Sequence, residues 1–132
     1  MTSAVLLDTH VLLWALAEPG KLSQNARSVL ADRRIDLWVS AASAWEIATK
    51  HRIGKLPGAG RLVRDYERNL DRLGAQPLPI TAAHALSAGN LDWHHRDPFD
   101  RVLAAQAQLE QLPLMTADPV FSEWADVTVV SA

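Results

Sequence analysis

Short apolar runs alternate along the chain with segments whose apolar residues recur at helical spacing. The run at residues 4–7 is continuously apolar, which is typical of a strand buried on both faces of a sheet. Similar runs predict further strands at residues 36–39, 76–80, 112–115 and 127–130. The 76–80 strand contains two prolines, so we expect it to be short or to lie at an edge of the sheet.

Residues that cap helix N-termini lie between these runs: Thr9, Ser23, Thr81 and the pair Asp97-Pro98. Either Ser40 or Ser43 opens the helix after the second strand. The predicted helices cover residues 9–17, 23–34, 40–54, 61–73, 81–89, 97–111 and 119–124. Strands that alternate with helices predict an α/β fold, a three-layer α/β/α sandwich with a mostly parallel central sheet. The length of 132 residues fits a single domain over residues 1–132.

The composition excludes several classes of protein. No cysteine is present, which rules out a disulfide framework, a thiolate zinc site, an iron–sulfur cluster and a cysteine nucleophile. The formal net charge of −2 is unlike that of a generic polycation for nucleic acid. Asp8 and His10 interrupt the first apolar runs, so neither a signal peptide nor a membrane span fits, and we expect a cytoplasmic protein.

Four carboxylates follow the predicted strands along the chain. Asp8 ends the first strand, and Asp118 follows the fourth. Glu46 lies in the helix after the second strand, and Asp100 lies in the first turn of the helix that begins at residues 97–98. Ligand sites of open α/β sheets lie beyond the carboxyl ends of the strands. We therefore expect these four acids to converge there.

Three of the acids also have a structural interpretation. Asp118 could cap a short helix, and Asp100 could stand at the third helical position after an Asp97 cap. Glu46 could simply pair with Lys50, one helical turn later. These interpretations stay open for each residue taken alone.

Asp8 is harder to explain by local structure. It directly follows four apolar residues, so its carboxylate lies near the core, and no Lys or Arg follows it before Lys21. If the four acids converge, a hard divalent cation with oxygen ligands would offset their repulsion. Such a cation can activate water and stabilise displacement at phosphorus.

Four blocks of sequence carry a resemblance to a known family. They are Val5-Leu-Leu-Asp8-Thr9, Ser40-x-x-Ser43-x-x-Glu46-Ile47, Asp97-Pro-Phe-Asp100-Arg101 with Ala104-Ala-Gln-Ala107, and Thr116-x-Asp118-x-x-Phe121. Together, over residues 4–121 and in this order, they resemble the blocks of the PIN domain, and above all its VapC toxins. Each block alone is weak, whereas the four in order are specific.

The resemblance implies an Mg²⁺- or Mn²⁺-dependent endoribonuclease that leaves a 5′-phosphate and a 3′-hydroxyl. It also implies a homodimer that a VapB-type antitoxin inhibits. Carried over block by block, the catalytic acids are Asp8, Glu46, Asp100 and Asp118. We predict that Asp8 and Asp100 hold the metal, that Glu46 and Asp118 orient the attacking water, and that Asp97 is a helix cap. Hydrogen bonds from Thr9, Ser43 and Thr116 would support the carboxylates or metal-bound water.

Basic and histidine residues offer further candidates. Arg61, Arg64, Arg68 and Arg72 form one stripe of the predicted 61–73 helix. Arg64 and Arg68 are candidate RNA contacts, although the stripe could equally be a solvated helix face. We expect His94 and His95 to be solvated loop residues and His10 to lie on a helix face or in the core.

Three other functions fit less well. A nucleotide-binding protein would share the fold class, but neither glycine-rich phosphate-binding motif occurs. A phosphatase with Asp8 as nucleophile would trap phosphate on that residue. A non-catalytic module would use its acids to bind a basic peptide and would cleave no RNA.

Overall fold

The structure, a computed structural model, describes residues 3–124 and 126–132. Its core is a five-stranded sheet in the order β3-β2-β1-β4-β5. The strands are β1 (Ala4–Leu7), β2 (Asp36–Ser40), β3 (Ala75–Leu78), β4 (Leu114–Thr116) and β5 (Val129–Ser131). All four neighbouring pairs are parallel. The predicted strand with two prolines is β3, and it lies at an edge of the sheet, as expected.

Helices connect successive strands. They are α1 (Thr9–Ala17), α2 (Gln24–Ala31), α3 (Ala41–Arg52), α4 (Gly60–Arg64), α5 (Tyr66–Leu73), α6 (Ala82–Asn90) and α7 (Pro98–Leu109). Short 3-10 helices cover Pro19–Lys21, Pro57–Ala59 and Pro119–Phe121. In the described part of the chain, none of the helices has the length and apolar character needed to cross a membrane.

Hydrophobic clusters cover both faces of the sheet. Successive side chains of β1 point to opposite faces and so belong to different clusters. Val5 and Leu7 belong to one hydrophobic cluster, with residues of α1, α2 and α5. Leu6 belongs to a second cluster on the other face, with Leu103 of α7 and Phe121. These side chains are at most 1% exposed. The three-layer α/β/α prediction is confirmed.

The strand order reverses at β1, and this reversal positions the candidate site. The chain moves outward from β1 through β2 to β3, and then β4 pairs with the opposite side of β1. The following connections leave the carboxyl ends of β1 and β4 in different directions, which opens a crevice between them. Asp8 directly follows β1, and Asp118 comes two residues after β4.

Three predicted helices differ from the structure, and one of them, expected over residues 119–124, is a 3-10 helix that ends at Phe121. The single helix expected over residues 61–73 is split into α4 and α5 at Asp65, whose backbone (φ −111°, ψ 34°) departs from helical values. Asp has a low helix propensity because its side chain competes for backbone hydrogen bonds. The predicted arginine stripe therefore spans two helices, with Arg64 in α4 and Arg68 in α5. The helix after Ser23 ends at Ala31, three residues earlier than expected.

Candidate active site

A cavity of about 320 Å³ opens beyond the carboxyl ends of β1 and β4. It contains all four predicted acids and also Asp97, which the sequence assigns only as a helix cap. The lining residues are Asp8, Thr9, His10, Leu13, Glu46, Lys50, Leu56, Asp97, Asp100 and Asp118.

Asp8 is fixed in this cavity by hydrogen bonds to both of its carboxylate oxygens. Oδ1 accepts from the Thr9 backbone N–H at 2.7 Å, and Oδ2 accepts from the Thr116 hydroxyl at 2.7 Å. The residue is 4% exposed. Burial raises the pKa of Asp8 and the Glu46 charge adds to the increase, whereas His10 and the two hydrogen bonds oppose it.

His10 joins Asp8 to the segment after β4. Its Nε2 accepts from the Ala117 backbone N–H at 3.0 Å, so in this tautomer the ring hydrogen is on Nδ1. Nδ1 lies 3.3 Å from Oδ2 of Asp8. His10 thus lines the cavity as a contact of Asp8, a role that the sequence interpretation as a helix-face or core residue did not include.

Glu46 is nearly buried, with 6% of its surface exposed. One carboxylate oxygen, Oε2, accepts a hydrogen bond from the Lys50 ammonium, as the i,i+4 spacing indicated. The other, Oε1, is buried and has no hydrogen-bond partner among the described residues. Burial by itself would lower the pKa of Lys50, but the Glu46 hydrogen bond and the surrounding carboxylates raise it.

Asp100 lies in the first turn of α7 and contacts His95. Its Oδ2 lies 2.7 Å from the His95 Nε2. The pKa of Asp100 is raised to about 6, chiefly by burial. The hydrogen bond with His95 opposes this increase, and the charges of Asp97 and Asp8 add to it. Asp97 caps the helix as predicted, because its Oδ1 accepts from the backbone N–H groups of Phe99 and Asp100. The solvated-loop interpretation fits the exposed His94 but is wrong for His95.

Asp118 and the three hydroxyl residues predicted to support the site differ in what they contact. Asp118 caps a 3-10 helix through Oδ1, which accepts from the Val120 N–H at 3.0 Å. The Thr116 hydroxyl donates to Asp8 and accepts from the Asp118 N–H at 3.0 Å. Thr9 contacts Asp8 only through its backbone, and its hydroxyl lies 2.9 Å from that of Ser43.

Arg101 holds the loop that leads into α7. Its guanidinium donates to four backbone carbonyls, at distances of 2.7–2.9 Å, which belong to Ala88, Leu91, Trp93 and His95. The loop therefore presents His95 to Asp100 in a fixed position. Arg101 belongs to the third sequence block, but no local pattern predicts the backbone carbonyls that it binds.

The donor chemistry of the cavity suits Mg²⁺ or Mn²⁺, which bind carboxylate oxygens. The unpartnered Oε1 of Glu46 is a buried acceptor on the cavity wall. Among residues 3–124 and 126–132, however, no three Asp, Glu or His side chains stand close enough together to hold a metal ion. Three of the carboxylates are instead hydrogen-bonded to other side chains: Asp8 to Thr116, Glu46 to Lys50 and Asp100 to His95.

The two candidate RNA contacts lie outside this cavity. Arg68 lines a neighbouring groove of about 800 Å³ between α1 and the α4–α5 pair, together with Arg61 and Arg72, whereas Arg64 does not line it. Leu13 and Leu56 line both the groove and the acidic cavity. A basic surface therefore adjoins the acids.

Comparison with known proteins gives a family and a partial relative. The family model described as "PIN domain" matches residues 5–127. Ribonuclease VapC16 of Mycobacterium tuberculosis is 40% identical over 60 residues, which are 46% of this chain. That match covers only 43% of the relative's length.

Several solved structures share the fold. VapBC2 from Rickettsia felis, bound to a DNA fragment from its promoter, matches with a TM-score of 0.68 at 14% identity, over 97% of this chain and 98% of the other. DNA-bound VapBC from Salmonella typhimurium matches with a TM-score of 0.66 at 15% identity, over 99% and 98%. A toxin–antitoxin complex from Klebsiella pneumoniae matches with a TM-score of 0.65 at 18% identity, over 96% and 95%. At these identities the matches establish a common fold.

Proposed function

The chain belongs to the PIN domain family, and from that premise we propose that it is a metal-dependent endoribonuclease, the toxin of a toxin–antitoxin pair. The observation that carries the proposal is the convergence of Asp8, Glu46, Asp100 and Asp118 on one cavity at the reversal of strand order. Two comparisons support the same activity. The partial relative carries the name of a ribonuclease, and the fold is shared with toxin–antitoxin proteins.

We propose that Asp8 and Asp100 hold an Mg²⁺ or Mn²⁺ ion in the cavity. The two carboxylates are near enough that the charge of Asp8 contributes to the raised pKa of Asp100. When bound, the cation supplies charge neutralisation at the scissile phosphate and a more acidic water. Asp8 is suited to a fixed ligand because hydrogen bonds from Thr9 and Thr116 hold its oxygens in place.

Glu46 and Asp118 act on the water. Glu46 has a free buried oxygen on the cavity wall, where it can accept a hydrogen from the nucleophile and orient it toward phosphorus. Asp118 uses Oδ1 as a helix cap, which leaves Oδ2 for the same task. Cleavage in this way leaves a 5′-phosphate and a 3′-hydroxyl.

Supporting residues fix these acids. Thr116 links Asp8 to the backbone of Asp118, so the ends of β1 and β4 move together. Thr9 and Ser43 join the first turns of α1 and α3 through their hydroxyls, which sets the distance between the helices that carry Asp8 and Glu46. We assign these three hydroxyls to orientation of the carboxylates.

RNA approaches across the basic groove. Arg68 and the exposed Arg64 contact phosphates, and the groove leads into the acidic cavity past Leu13 and Leu56. Arginine suits this role because its planar guanidinium matches phosphate geometry.

The partners are a VapB-type antitoxin and a second copy of the chain. The matched complexes that contain VapB and VapC support the first. For the second, Trp45 is 55% exposed although it packs edge-on against Phe99, and so it leaves an apolar surface beside the cavity.

Incubation of the purified, partner-free protein with RNA tests the activity. The proposal expects cleavage with Mg²⁺ or Mn²⁺ and none with chelator, and 5′-phosphate ends on the products. A protein that cleaves no RNA under either condition would be a binding module. Phosphate trapped covalently on Asp8 would indicate a phosphatase, although both oxygens of this buried carboxylate already accept hydrogen bonds.

A further inference from the structure

The acidic cavity contains a positive charge of its own. Five carboxylates line it, and Lys50 is the only Lys or Arg among the described lining residues. Its ammonium binds Oε2 of Glu46, and its charge also interacts with Asp97 and Asp100. The Lys50 ammonium therefore occupies the region to which these carboxylates would attract any positively charged ligand.

The two partners of this ion pair differ in how freely they can move. The Lys50 side chain is 40% exposed, whereas that of Glu46 is 8% exposed. A lysine ammonium on its four-carbon stem can withdraw into water at small cost. The buried Glu46 carboxylate cannot follow it, and without a cation its charge would be uncompensated.

Glu46 also has one carboxylate oxygen that Lys50 does not satisfy. Its Oε1 is buried without a hydrogen-bond partner among the described residues, while Oε2 binds Lys50. A buried carboxylate oxygen that accepts nothing is costly unless a ligand satisfies it. While Lys50 occupies Oε2, the other oxygen of Glu46 therefore stays open to a ligand of the cavity.

We propose that Lys50 is a displaceable internal counterion: it offsets part of the negative charge of the cavity in the metal-free protein, and its ammonium withdraws from Glu46 as a divalent cation binds in the cavity. This inference rests on the proposed function in one respect, since it needs a divalent cation in the cavity. Lys50 thereby weakens metal binding and stabilises the metal-free fold.

Calorimetric titration of Mn²⁺ into the RNA-free protein tests the proposal. Lys50→Met removes the charge and keeps the apolar stem, and the expected result is Mn²⁺ binding tighter by roughly tenfold or more. Lys50→Arg keeps the charge and should bind Mn²⁺ as the wild type does. Lys55→Met is the matched control, because Lys55 is exposed, lines the neighbouring groove and is absent from the acidic cavity. The Mn²⁺ dissociation constant of Lys55→Met should stay within about twofold of wild type, because water and salt screen the charge of an exposed lysine outside the cavity.

Thermal melts in chelator give a second, independent measurement. Lys50→Met should melt below both the wild type and Lys55→Met, because five carboxylates lose their counterion. If Lys50→Met does not fold, Lys50→Gln repeats both measurements with a neutral side chain that can still donate to Glu46.

The outcomes separate this inference from the proposed function. If the wild type binds Mn²⁺ and Lys50→Met binds it no more tightly than Lys55→Met does, the counterion role is wrong and the metal site stands. If the wild type neither binds Mn²⁺ nor melts higher in its presence, both the counterion role and the metal dependence of the proposed function fail.

Discussion

Thr116 donates its hydroxyl hydrogen to Oδ2 of Asp8 at 2.7 Å, across 108 positions of sequence and between the ends of two neighbouring strands. The same hydroxyl accepts from the backbone N–H of Asp118. One side chain thus ties together two of the four acids. Both Thr116 and Asp8 are less than 5% exposed, so water cannot easily replace the bond.

Thr116→Val should weaken both the fold and the proposed activity. Valine has nearly the same shape but leaves an oxygen of Asp8 and the Asp118 N–H without their partner. The free energy of unfolding should fall by about 1–3 kcal/mol, and RNA cleavage by roughly 10–100-fold. Thr128→Val, at an exposed threonine, should change stability by less than about 0.5 kcal/mol. Equal denaturation midpoints for the two variants would show that the Thr116 hydroxyl contributes nothing.

Asp100→Asn should stabilise the metal-free protein in a pH-dependent way. The pKa of Asp100 is raised to about 6 in the fold, above its ordinary value of 3.8, so ionisation favours the unfolded chain. Below about pH 4 both states are protonated and this penalty is absent. Stability is lost as pH rises from there through 6, and asparagine avoids that loss.

Thermal melts in chelator between pH 4 and 7.5 measure this effect. The advantage of Asp100→Asn should appear above pH 4 and level off above pH 6, at about 1 kcal/mol after allowance for solvent screening. With Mg²⁺ at a hundredfold excess over its dissociation constant, the wild type gains about 2.7 kcal/mol and the order reverses. If Asp100→Asn is the less stable protein in chelator, and metal stabilises both equally, the Asp100 carboxylate stabilises the fold through His95 and is not a metal ligand.

Much of the fold was predictable from local patterns. The continuous apolar run at 4–7 and the caps at Ser23, Thr81 and Asp97 give element boundaries within a few residues, because capping and burial act locally. The convergence of the acids was also predictable, since parallel strands bring their carboxyl ends to one edge. The strand order, by contrast, depends on packing between distant segments.

The contacts that hold the carboxylates could not be predicted in the same way. His10 binds the Ala117 N–H and His95 binds Asp100, and both contacts depend on the path of a loop that hydrophobic periodicity does not describe. The ion pair between Lys50 and Glu46 was predictable, by contrast, because side chains four positions apart on a helix are neighbours. The break at Asp65 was missed because the spacing of apolar residues continues through it.

The proposed antitoxin should place a basic side chain in the acidic cavity. Five carboxylates line this cavity against one lysine, which concentrates negative potential there. Arginine is the expected residue, because a guanidinium can bind carboxylates in a bidentate manner. A structure of the complex measures this directly. An inhibitory segment with no Lys or Arg within hydrogen-bonding distance of Asp8, Glu46 or Asp100 would contradict the prediction.

Charge reversal of Arg64 and Arg68 should weaken RNA binding. Both side chains are exposed, so the fold should survive, and loss of two phosphate contacts should reduce the slope of log affinity against log salt by about 2. Binding of a cleavage-resistant RNA at several salt concentrations measures the slope. Reversal of Arg27 and Arg33, which are exposed and lie outside α4 and α5, is the matched control. If the two double variants have equal slopes, the stripe is a solvated face.

The rate of RNA cleavage by Asp8→Asn and Asp100→Asn, each purified without partner and supplied with Mn²⁺, tests the proposed metal site most directly. Asparagine preserves the shape of each side chain and removes the charge that holds the cation. Asp36→Asn, at an exposed position where β2 begins, controls for the loss of one charge and should cleave as the wild type does. Both cavity variants should lose cleavage by several orders of magnitude while they remain folded. Cleavage within about tenfold of wild type, a barrier change below about 1.4 kcal/mol, would contradict the assignment of that residue.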